Sequence, residues 1–365
     1  MLEQTSSEGI TKLSLRGRMS FMNERSNLLE SISTTIKDYR SGEVPESTPD
    51  HVERWVKQFD TDAQIHILRE IDHIFKTTYY SKAHFLTFFD EHINKKSDPY
   101  DFWRRANILE IQKKGNSQRE ILNLFDKVLK KQIGISFREM PPSDGPCVYI
   151  DDALFTGARI KDDLLPWIEK YDQDIVNLHI LVIAVHRLGK WHCGESLKKK
   201  ARSSGKNLRF KFWSSNEFEN RIRYSSHSDV LWPVDIPDDV ALKKYLEGGD
   251  PFPFVPRKDD GFPFSIFSSE GGRQVLERQF LNAGVKIRSS CSQNLKKFWR
   301  PLGFSHFGLG FGSMVVTFRN CPNNCPLALW WGDPKATPGN IMSKWYPLFQ
   351  RKINTEDGDR DEFPF

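Results

Sequence analysis

The sequence predicts an α/β protein whose central feature is a parallel β-sheet covered by helices on both faces. Apolar, strand-like segments alternate with amphipathic helices between about residues 106 and 213. The predicted strands are nearly continuous apolar runs, which is typical of strands buried on both sides. With 365 residues, 38% of them hydrophobic, the chain is long enough for roughly two domains of about 150 residues.

The region before the sheet is predicted to be helical. Residues 1–48 form a polar N-terminal extension, and residues 49–101 form an N-terminal helical subdomain. Asp60 or Thr61 can cap a helix in this subdomain, because short polar side chains satisfy the first N–H groups of a helix. The buried face of that helix would carry apolar residues at helical spacing, namely Ile65, Leu68, Ile71, Ile74 and Phe75.

Residues 102–232 are predicted to form the core around the sheet. The predicted strands are Ala106–Ile111, a short segment near Ile135–Arg138, Cys147–Ile150, Leu178–Val185 and Leu208–Trp213. The predicted helices between them are Arg119–Lys131, a helix from about Gly157 to Tyr171, and a basic helix near Glu195–Arg202. This alternation of strands and helices is what makes a parallel sheet the expected arrangement.

The last third of the chain is predicted to be a separate, mixed region. Residues 233–350 combine an irregular insertion, rich in Pro, Gly and Phe, with a C-terminal mixed α+β hood. Its predicted elements are a helix at Gly272–Ala283 and strands around Ser313–Phe318 and Leu327–Trp331. Residues 351–365 form an acidic tail, which we expect to be loose.

The amino-acid composition argues against several classes of protein. The 53 Lys and Arg against 48 Asp and Glu give a net charge of +5, which suits a phosphate-bearing partner but not a dedicated nucleic-acid coat. The longest apolar run, Leu178–Val185, is far shorter than the ~20 residues of a membrane helix. The start of the chain shows no signal peptide, and five cysteines do not indicate a disulfide scaffold. We therefore expect a cytoplasmic protein with no membrane partner.

One segment carries the strongest functional signal. Asp151 and Asp152 directly follow a buried strand, and the next helix opens with Thr156, Gly157, Ala158 and Arg159. The carboxyl edge of a parallel sheet is where α/β proteins bind ligands, and N–H groups at a helix N-terminus bind anions. The pattern predicts a site for a phosphorylated sugar, with hydroxyls on the carboxylates and the phosphate on the helix. The alternative is that the acids only cap the helix and the glycine fills a tight turn.

A second loop is a weaker candidate for the same site. The first predicted strand leads into a short basic loop that contains Lys114, Gly115 and Ser117 and precedes a helix. Lys, Gly and a Ser near a helix N-cap suit an anion. By itself the loop is an ordinary polar turn, but its position ahead of the acid pair supports a role in binding an anion.

The segment around the acid pair closely resembles the phosphoribosyl-pyrophosphate signature of type I phosphoribosyltransferases. That signature has four apolar residues, two acids, three variable positions and then Thr-Gly-x-Thr/Ser, and this chain departs from it only at Arg159. The resemblance implies the type I phosphoribosyltransferase fold. It further implies that Asp151 and Asp152 bind the ribose 2′- and 3′-hydroxyls, and that residues 156–159 hold the 5′-phosphate. Arg159 could contact the phosphate or indicate a changed ligand.

At the level of the whole chain, the sequence resembles a divergent branch of phosphoribosyltransferase-like proteins associated with bacterial defence genes, including retron operons. The resemblance begins after about residue 50 and includes the motifs WVKQFD, SQREIL and GFGSMVVTFRN. It implies an anti-phage effector with partner proteins from a defence operon.

The resemblance also implies a reaction. The donor would be phosphoribosyl pyrophosphate with its Mg²⁺, and its ribose-phosphate group would be transferred or hydrolysed. A nucleobase, a nucleotide, or a group on nucleic acid or protein could be the acceptor. The alternative is a non-catalytic module that senses a nucleotide or associates with nucleic acid.

Three other motifs are weaker. Cys321 and Cys325 would need two further ligands to form a structural zinc site. Trp191-His192-Cys193 could supply a Cys–His pair, although neighbours in sequence rarely face each other productively. The basic run from Lys198 to Arg202 is most simply a solvated helix face, with nucleic-acid contact as the alternative.

Overall fold

The computed structural model describes residues 22–95, 98–112, 117–247, 254–259, 266–291, 298–306 and 308–351. The helices are α1 (residues 22–35), α2 (Pro49–Val56), α3 (Gln64–Thr78), α4 (Lys82–Asn94), α5 (Pro99–Arg104), α6 (Ser117–Ile133), α7 (Ala158–Lys170), α8 (Arg187–Ser203), α9 (Val240–Glu247), α10 (Glu270–Ser290) and α11 (Leu327–Trp330). None of these helices in the described ranges is long and apolar enough to cross a membrane.

The strands are shorter than the helices, and most lie in the middle of the chain. They are β1 (Tyr79–Tyr80), β2 (Asn107–Leu109), β3 (Cys147–Ile150), β4 (Ala153–Leu154), β5 (Ile175–Leu181), β6 (Ala184–His186), β7 (Asn207–Trp213), β8 (Asn216–Phe218), β9 (Trp299–Arg300), β10 (Gly303–Phe304) and β11 (Val316–Thr317). Short 3₁₀ turns occur at Thr61–Ala63, Phe137–Glu139, Ile222–His227 and Ile341–Lys344.

The chain divides into two compact units. The sheet unit comprises the described residues within Tyr80–Val230 and Lys258–Phe262. The flanking unit comprises those within Met1–Tyr79, Leu231–Arg257 and Pro263–Phe365. This division cuts through the predicted helical subdomain 49–101, because α3 packs on α10 whereas α4 packs on α6.

The sheet unit contains the predicted parallel sheet. Four strands lie in the order β2-β3-β5-β7, and every neighbouring pair is parallel. Beyond their carboxyl ends, β4, β6 and β8 form a second parallel sheet in that order. The N–H of Val182 donates to the oxygen of Trp213 at 3.0 Å between the two sheets. The second sheet therefore prolongs β3, β5 and β7 of the first sheet after a short break in each of these strands.

Helices cover both faces of the four-stranded sheet, as the apolar strands predict. On one face, Tyr149 and Leu178 pack in a single buried cluster with Leu164 of α7 and Leu197 of α8. On the other face, α5 contacts β5 through the rings of Phe102 and His179, whose centroids are 5.3 Å apart. Aromatic contacts also join α4 and α5 to Phe125 of α6. The prediction of an α/β protein with a covered parallel sheet is confirmed.

The flanking unit is mainly helical and rich in buried aromatic side chains. The ring of Phe59 stacks on Phe280 of α10, with centroids 5.5 Å apart. Trp55 and Trp345 both donate their indole N–H to the oxygen of Ala328, at 2.8 and 2.9 Å. The unit contains helices from both ends of the chain and a short antiparallel pair, β9 with β10.

Several predicted elements differ from the observed ones. The strand predicted near Ile135–Arg138 is a 3₁₀ turn, because Ser136 accepts the N–H of Arg138 and holds the backbone in a tight bend. The predicted strand Leu178–Val185 is two strands, β5 and β6, separated at the break between the sheets. The strand predicted at Leu327–Trp331 is the helical turn α11, and α9 lies within the predicted irregular insertion. A short apolar run buried on all sides does not distinguish a strand from a helix.

Candidate functional site

Two adjacent carboxylates lie at the carboxyl edge of the sheet, where β3 ends. β3 is completely buried, and the polar residues that follow it are Asp151 and Asp152. The backbone N–H of Asp151 donates to the oxygen of Leu181 at 3.1 Å, which extends the pairing with β5. The N–H of Ile183 donates to the oxygen of Asp152 at 3.0 Å. The predicted acid pair is therefore held on rigid backbone at the edge where ligands bind in this class of fold.

The surroundings of the two carboxyl groups disfavour their charged forms. Asp151 is only 4% exposed, and burial, followed by repulsion from Asp152, raises its pKa to about 8. Burial also raises the pKa of Asp152, although the N–H of Ala153 donates to its Oδ1 at 2.7 Å. Two adjacent acids, one buried and one partly buried, destabilise the folded protein unless a partner satisfies them. A ligand with hydroxyl donors or an associated cation would supply that partner.

Helix α7 begins a few residues after the acids, and its N-terminus has the form of an anion site. Gly157 is the N-cap residue, and its φ of 74° lies in the left-handed region that favours glycine. Thr156 accepts the N–H of Ala158 on its Oγ1 at 3.3 Å. The remaining N–H groups of the first turn point out of the helix end, where the helix dipole favours negative charge. The structure thus brings the acid pair and the predicted phosphate loop into one short segment.

Gly157 also has a packing role that the sequence does not reveal. A Cβ on Gly157 would lie 2.9 Å from the Cβ of Cys193 and 3.0 Å from the oxygen of Gly189. A Cβ on Gly189 would lie 1.8 Å from the oxygen of Phe155. These two glycines let the loop 153–157 pack directly against α8. The observed backbone accounts for Gly157 whether or not a phosphate approaches it, so its contact with phosphate stays a prediction.

Arg159 is exposed in the first turn of α7, next to the acid pair. Its positive charge lowers the pKa of both Asp151 and Asp152, partly offsetting the effect of burial. Within the described residues Arg159 forms no ion pair, and neither Asp162 nor Asp163 on the same helix pairs with it. The guanidinium is therefore available to an anion at the helix N-terminus.

The second predicted loop is only partly described. Lys114 and Gly115 lie outside the described residues, and Ser117 is described as the first residue of α6 but without its side chain. The residues on either side fix where this loop starts and ends. β2 pairs in parallel with β3, with Leu109 opposite Tyr149, so the chain leaves β2 at the same edge of the sheet as the acid pair.

Gln118 is a structural part of the site that sequence reasoning missed. Its side chain is buried and accepts the N–H groups of Ile111 and Gln112 at 3.2 and 3.0 Å. Its Nε2 donates to the oxygens of Leu109 and Ile150 at 3.2 and 3.3 Å. One amide therefore joins the ends of β2 and β3 directly before Asp151. A glutamine at the start of a helix gives no sequence signal that distinguishes this arrangement from an exposed one.

We expect Gln118→Leu to destabilise the sheet unit by about 1–3 kcal/mol, because the substitution leaves buried N–H and carbonyl groups without partners. Chemical denaturation measures this change. Lys127→Leu is the control, since Lys127 is exposed on the same helix and forms no hydrogen bond or ion pair among the described residues, and its effect should stay within about 0.5 kcal/mol. Equal losses of stability in the two variants would contradict the role assigned to Gln118.

The weaker motifs contain residues that are buried in the protein or that form ion pairs at its surface. Cys193 is fully buried, and burial raises the pKa of its thiol to about 12, which does not suit a nucleophile. Two lysines of the basic run form ion pairs, Lys198 with Glu195 at 2.9 Å and Lys200 with Glu169 at 2.8 Å. Cys321 and Cys325 are buried free thiols. Across the described ranges, no cluster of three His, Cys, Asp or Glu side chains could hold a metal ion.

The covered parallel sheet, the acid pair at its edge and the glycine at the start of the next helix define a phosphoribosyltransferase-like protein. The model of the PRTase-CE family matches residues 52–351, which is most of the chain. The chain belongs to this phosphoribosyltransferase-like family, and the predicted resemblance is confirmed at that level. No curated protein and no solved structure matches the chain. The defence-associated branch stays a prediction.

Proposed function

We propose that the protein binds a phosphorylated ribose donor, phosphoribosyl pyrophosphate, at the carboxyl edge of the sheet and transfers or hydrolyses its ribose-phosphate group. The observation that carries the proposal is the placement of Asp151 and Asp152 directly before the helix N-terminus at Gly157. Carboxylates accept hydrogen bonds from sugar hydroxyls, and the helix end binds a phosphate. A phosphorylated ribose combines adjacent hydroxyls with a phosphate in one small molecule.

Each part of the site has a distinct task in this proposal. Asp151 and Asp152 accept hydrogen bonds from the ribose 2′- and 3′-hydroxyls, and residues 156–159 hold the 5′-phosphate. The bond from the ribose carbon to the pyrophosphate then breaks, and positive charge develops on the sugar ring. The two carboxylates stabilise this charge, because preorganised opposite charge lowers the barrier in a water-poor site. Mg²⁺ bound to the donor would neutralise negative charge on the leaving pyrophosphate.

The proposal also includes an acceptor for the ribose-phosphate group. A nucleobase, a nucleotide, or a group on nucleic acid or protein would take the ribose-phosphate, and water would take it in a hydrolase. Membership of the PRTase-CE family supports the phosphoribosyltransferase-like activity. A role as an anti-phage effector with partners from a defence operon rests on the resemblance of the whole chain to defence-associated proteins.

Release of pyrophosphate tests the reaction. Purified protein, Mg²⁺ and phosphoribosyl pyrophosphate are incubated with and without nucleobases, nucleotides and single-stranded nucleic acid. We expect release above the uncatalysed rate in at least one mixture. Donor binding without release in any mixture would favour the non-catalytic sensing module. Binding of single-stranded nucleic acid alone, falling steeply with salt, would favour the nucleic-acid-associated module.

Arg159→Thr, which restores the usual residue of the signature, should weaken donor binding about ten- to a hundred-fold. The charge-assisted bond from a guanidinium to a phosphate contributes roughly 1.5–3 kcal/mol more than no contact, and the backbone N–H groups remain to hold the phosphate. Calorimetry at fixed salt measures the affinity. Lys170→Thr is the control, since Lys170 is exposed at the far end of the same helix. An unchanged affinity for Arg159→Thr would show that the guanidinium does not contact the donor.

A further inference from the structure

A buried hydrogen-bonded chain connects Asp151 to α7. Tyr149, on β3, is completely buried and directs its side chain into the cluster that packs under α7. Its phenol oxygen lies 2.8 Å from Oδ2 of Asp163 and 3.3 Å from Oδ2 of Asp151. Asp163 is itself buried. Two carboxyl groups from different elements therefore meet at one phenol in the interior of the protein.

The number of hydrogens shared by Asp151, Tyr149 and Asp163 limits which of these groups can be ionised. A phenol has one hydrogen to donate, and its oxygen can also accept one hydrogen bond. If both carboxyl groups were ionised, the phenol would satisfy one of them, and its oxygen would face a bare carboxylate oxygen on the other. One proton on either carboxyl group resolves this conflict, and when it lies on Asp151, Asp151 donates to the phenol and the phenol donates to Asp163. The shorter distance, to Asp163, agrees with Asp163 as the charged acceptor.

The charged groups around Asp151 act in opposite directions. Asp152 and Asp163 disfavour its charge, and Arg159 favours it. Oδ1 of Asp151 accepts the N–H of Asp152 at 2.9 Å, which leaves Oδ2 to carry the proton toward Tyr149. Burial is the largest influence, and together these groups raise the pKa of Asp151 to about 8.

The neighbouring elements supply no competing partner for this proton within the described residues. β5 meets Asp151 through the backbone oxygen of Leu181, and His179, its titratable side chain, accepts the indole N–H of Trp213 at 2.9 Å. Glu110, which follows β2, pairs with Arg119 and Arg138. Burial lowers the pKa of His186, before α8, to about 3, so this imidazole is neutral.

We propose that Tyr149 and Asp163 are positioning residues that hold Asp151 in its protonated form, so that Asp151 releases its proton when the phosphorylated ribose binds. In this step the O–H bond of Asp151 breaks, the proton passes to solvent, and the carboxylate accepts a hydrogen bond from a ribose hydroxyl. This inference rests on the proposed function for its ligand, while the resting protonation of Asp151 does not depend on the ligand. Keeping Asp151 neutral before the ligand binds lowers the free-energy cost of two adjacent carboxyl groups at the edge of the sheet.

Proton release on binding makes the affinity for the donor depend on pH. Because the bound form needs ionised Asp151, affinity should rise with pH and level off above about 8. Asp163→Asn removes a negative charge from the neighbourhood of Asp151, and Tyr149→Phe removes the acceptor of its proton. Both variants should therefore move the midpoint downward, by at least about half a pH unit. At pH 6 they should bind the donor more tightly than the wild type does.

The test combines two measurements. The ¹³C carboxyl resonance of Asp151, assigned by its loss in Asp151→Asn, is titrated in ligand-free protein. Calorimetry with Mg²⁺ and phosphoribosyl pyrophosphate then gives affinity from pH 6 to 9, in buffers of different ionisation enthalpy that report proton release. Asp162→Asn is the matched control, since Asp162 is an exposed acid on the same turn of α7 and should leave both midpoints unchanged.

A resonance midpoint near 8 that falls in Tyr149→Phe and Asp163→Asn supports the proposal. An ordinary acidic midpoint, or a raised one that neither variant moves, overturns it. If Asp163→Asn fails to fold, Tyr149→Phe alone tests the proposal, because this substitution removes only a single oxygen atom. A wild-type protein that shows the raised resonance but binds no donor contradicts the proposed function and leaves the protonation of Asp151 established.

Discussion

Asp152→Asn is expected to weaken donor binding about a hundred-fold while the protein keeps its fold. The carboxylate of Asp152 accepts hydrogen bonds from ribose hydroxyls in the proposed complex, and loss of the charge removes roughly 3 kcal/mol of charge-assisted bonding. The fold should survive, because burial disfavours the charged form of this acid and the neutral amide avoids that cost. Calorimetry measures affinity, and thermal unfolding measures stability.

Asp151→Asn should cause a loss of similar size. Asp162→Asn, an exposed acid on α7, is the control for both and should bind the donor as the wild type does. If Asp151→Asn and Asp152→Asn both retain full affinity and activity, these carboxyl groups do not bind the sugar and the site has been assigned incorrectly.

Gly189→Ala is expected to have the largest effect on stability. The added Cβ would lie 1.8 Å from the backbone oxygen of Phe155, so either the loop 153–157 or the start of α8 must move. Overpacking against backbone costs about 3 kcal/mol or more, which lowers the melting temperature of a domain of this size by roughly 6–12 °C. Donor binding should fall as well, because this loop connects Asp151 and Asp152 to the N-terminus of α7.

Gly205→Ala serves as the control for Gly189→Ala. Gly205 follows α8 with a φ of 69° and has open space around it, so the substitution introduces backbone strain without a collision. Its cost should stay near 1 kcal/mol, with donor affinity unchanged. Gly157→Val should abolish phosphate binding, because it adds a collision with Cys193 to a left-handed backbone. A stable Gly189→Ala variant with normal affinity would contradict the close packing of the loop on α8.

The sequence predicts the central part of the site almost to the residue. The strand Cys147–Ile150 is observed with the predicted bounds, and α7 lies within one residue of its predicted ends. The prediction succeeds here because local signals agree: a continuous apolar run, two acids, a glycine and an amphipathic period of 3.6 residues. The loop 153–157 between the acids and α7 contains the strand β4, whose pairing with β6 depends on a partner distant in sequence.

The residues that sequence reasoning missed act through tertiary contacts. Tyr149 looks like one more apolar residue of a buried strand, and Asp163 looks like the polar face of a helix. Their meeting at 2.8 Å follows from how α7 lies on the sheet, which no local pattern reports. Gly189 carries no turn signal, since it lies inside α8 and its small size matters only to the loop that packs against it.

Local sequence patterns also do not predict how the chain divides into two compact units. α2 and α3 are amphipathic like α4, yet they pack in the flanking unit with α10, which lies about 200 residues further along the chain. Hydrophobic periodicity shows that a helix has a buried face but does not show which partner covers it.

A calorimetric titration of the wild-type protein with phosphoribosyl pyrophosphate and Mg²⁺ shows whether the edge of the sheet binds this donor. We expect saturable binding at one site per chain, with weaker binding of ribose 5-phosphate and none of ribose, because hydroxyl and phosphate contacts are both required. Binding should be lost in Asp152→Asn and preserved in Asp162→Asn. If the folded protein binds neither phosphorylated ribose up to millimolar concentration, the acid pair and the helix N-terminus do not form a site for this donor.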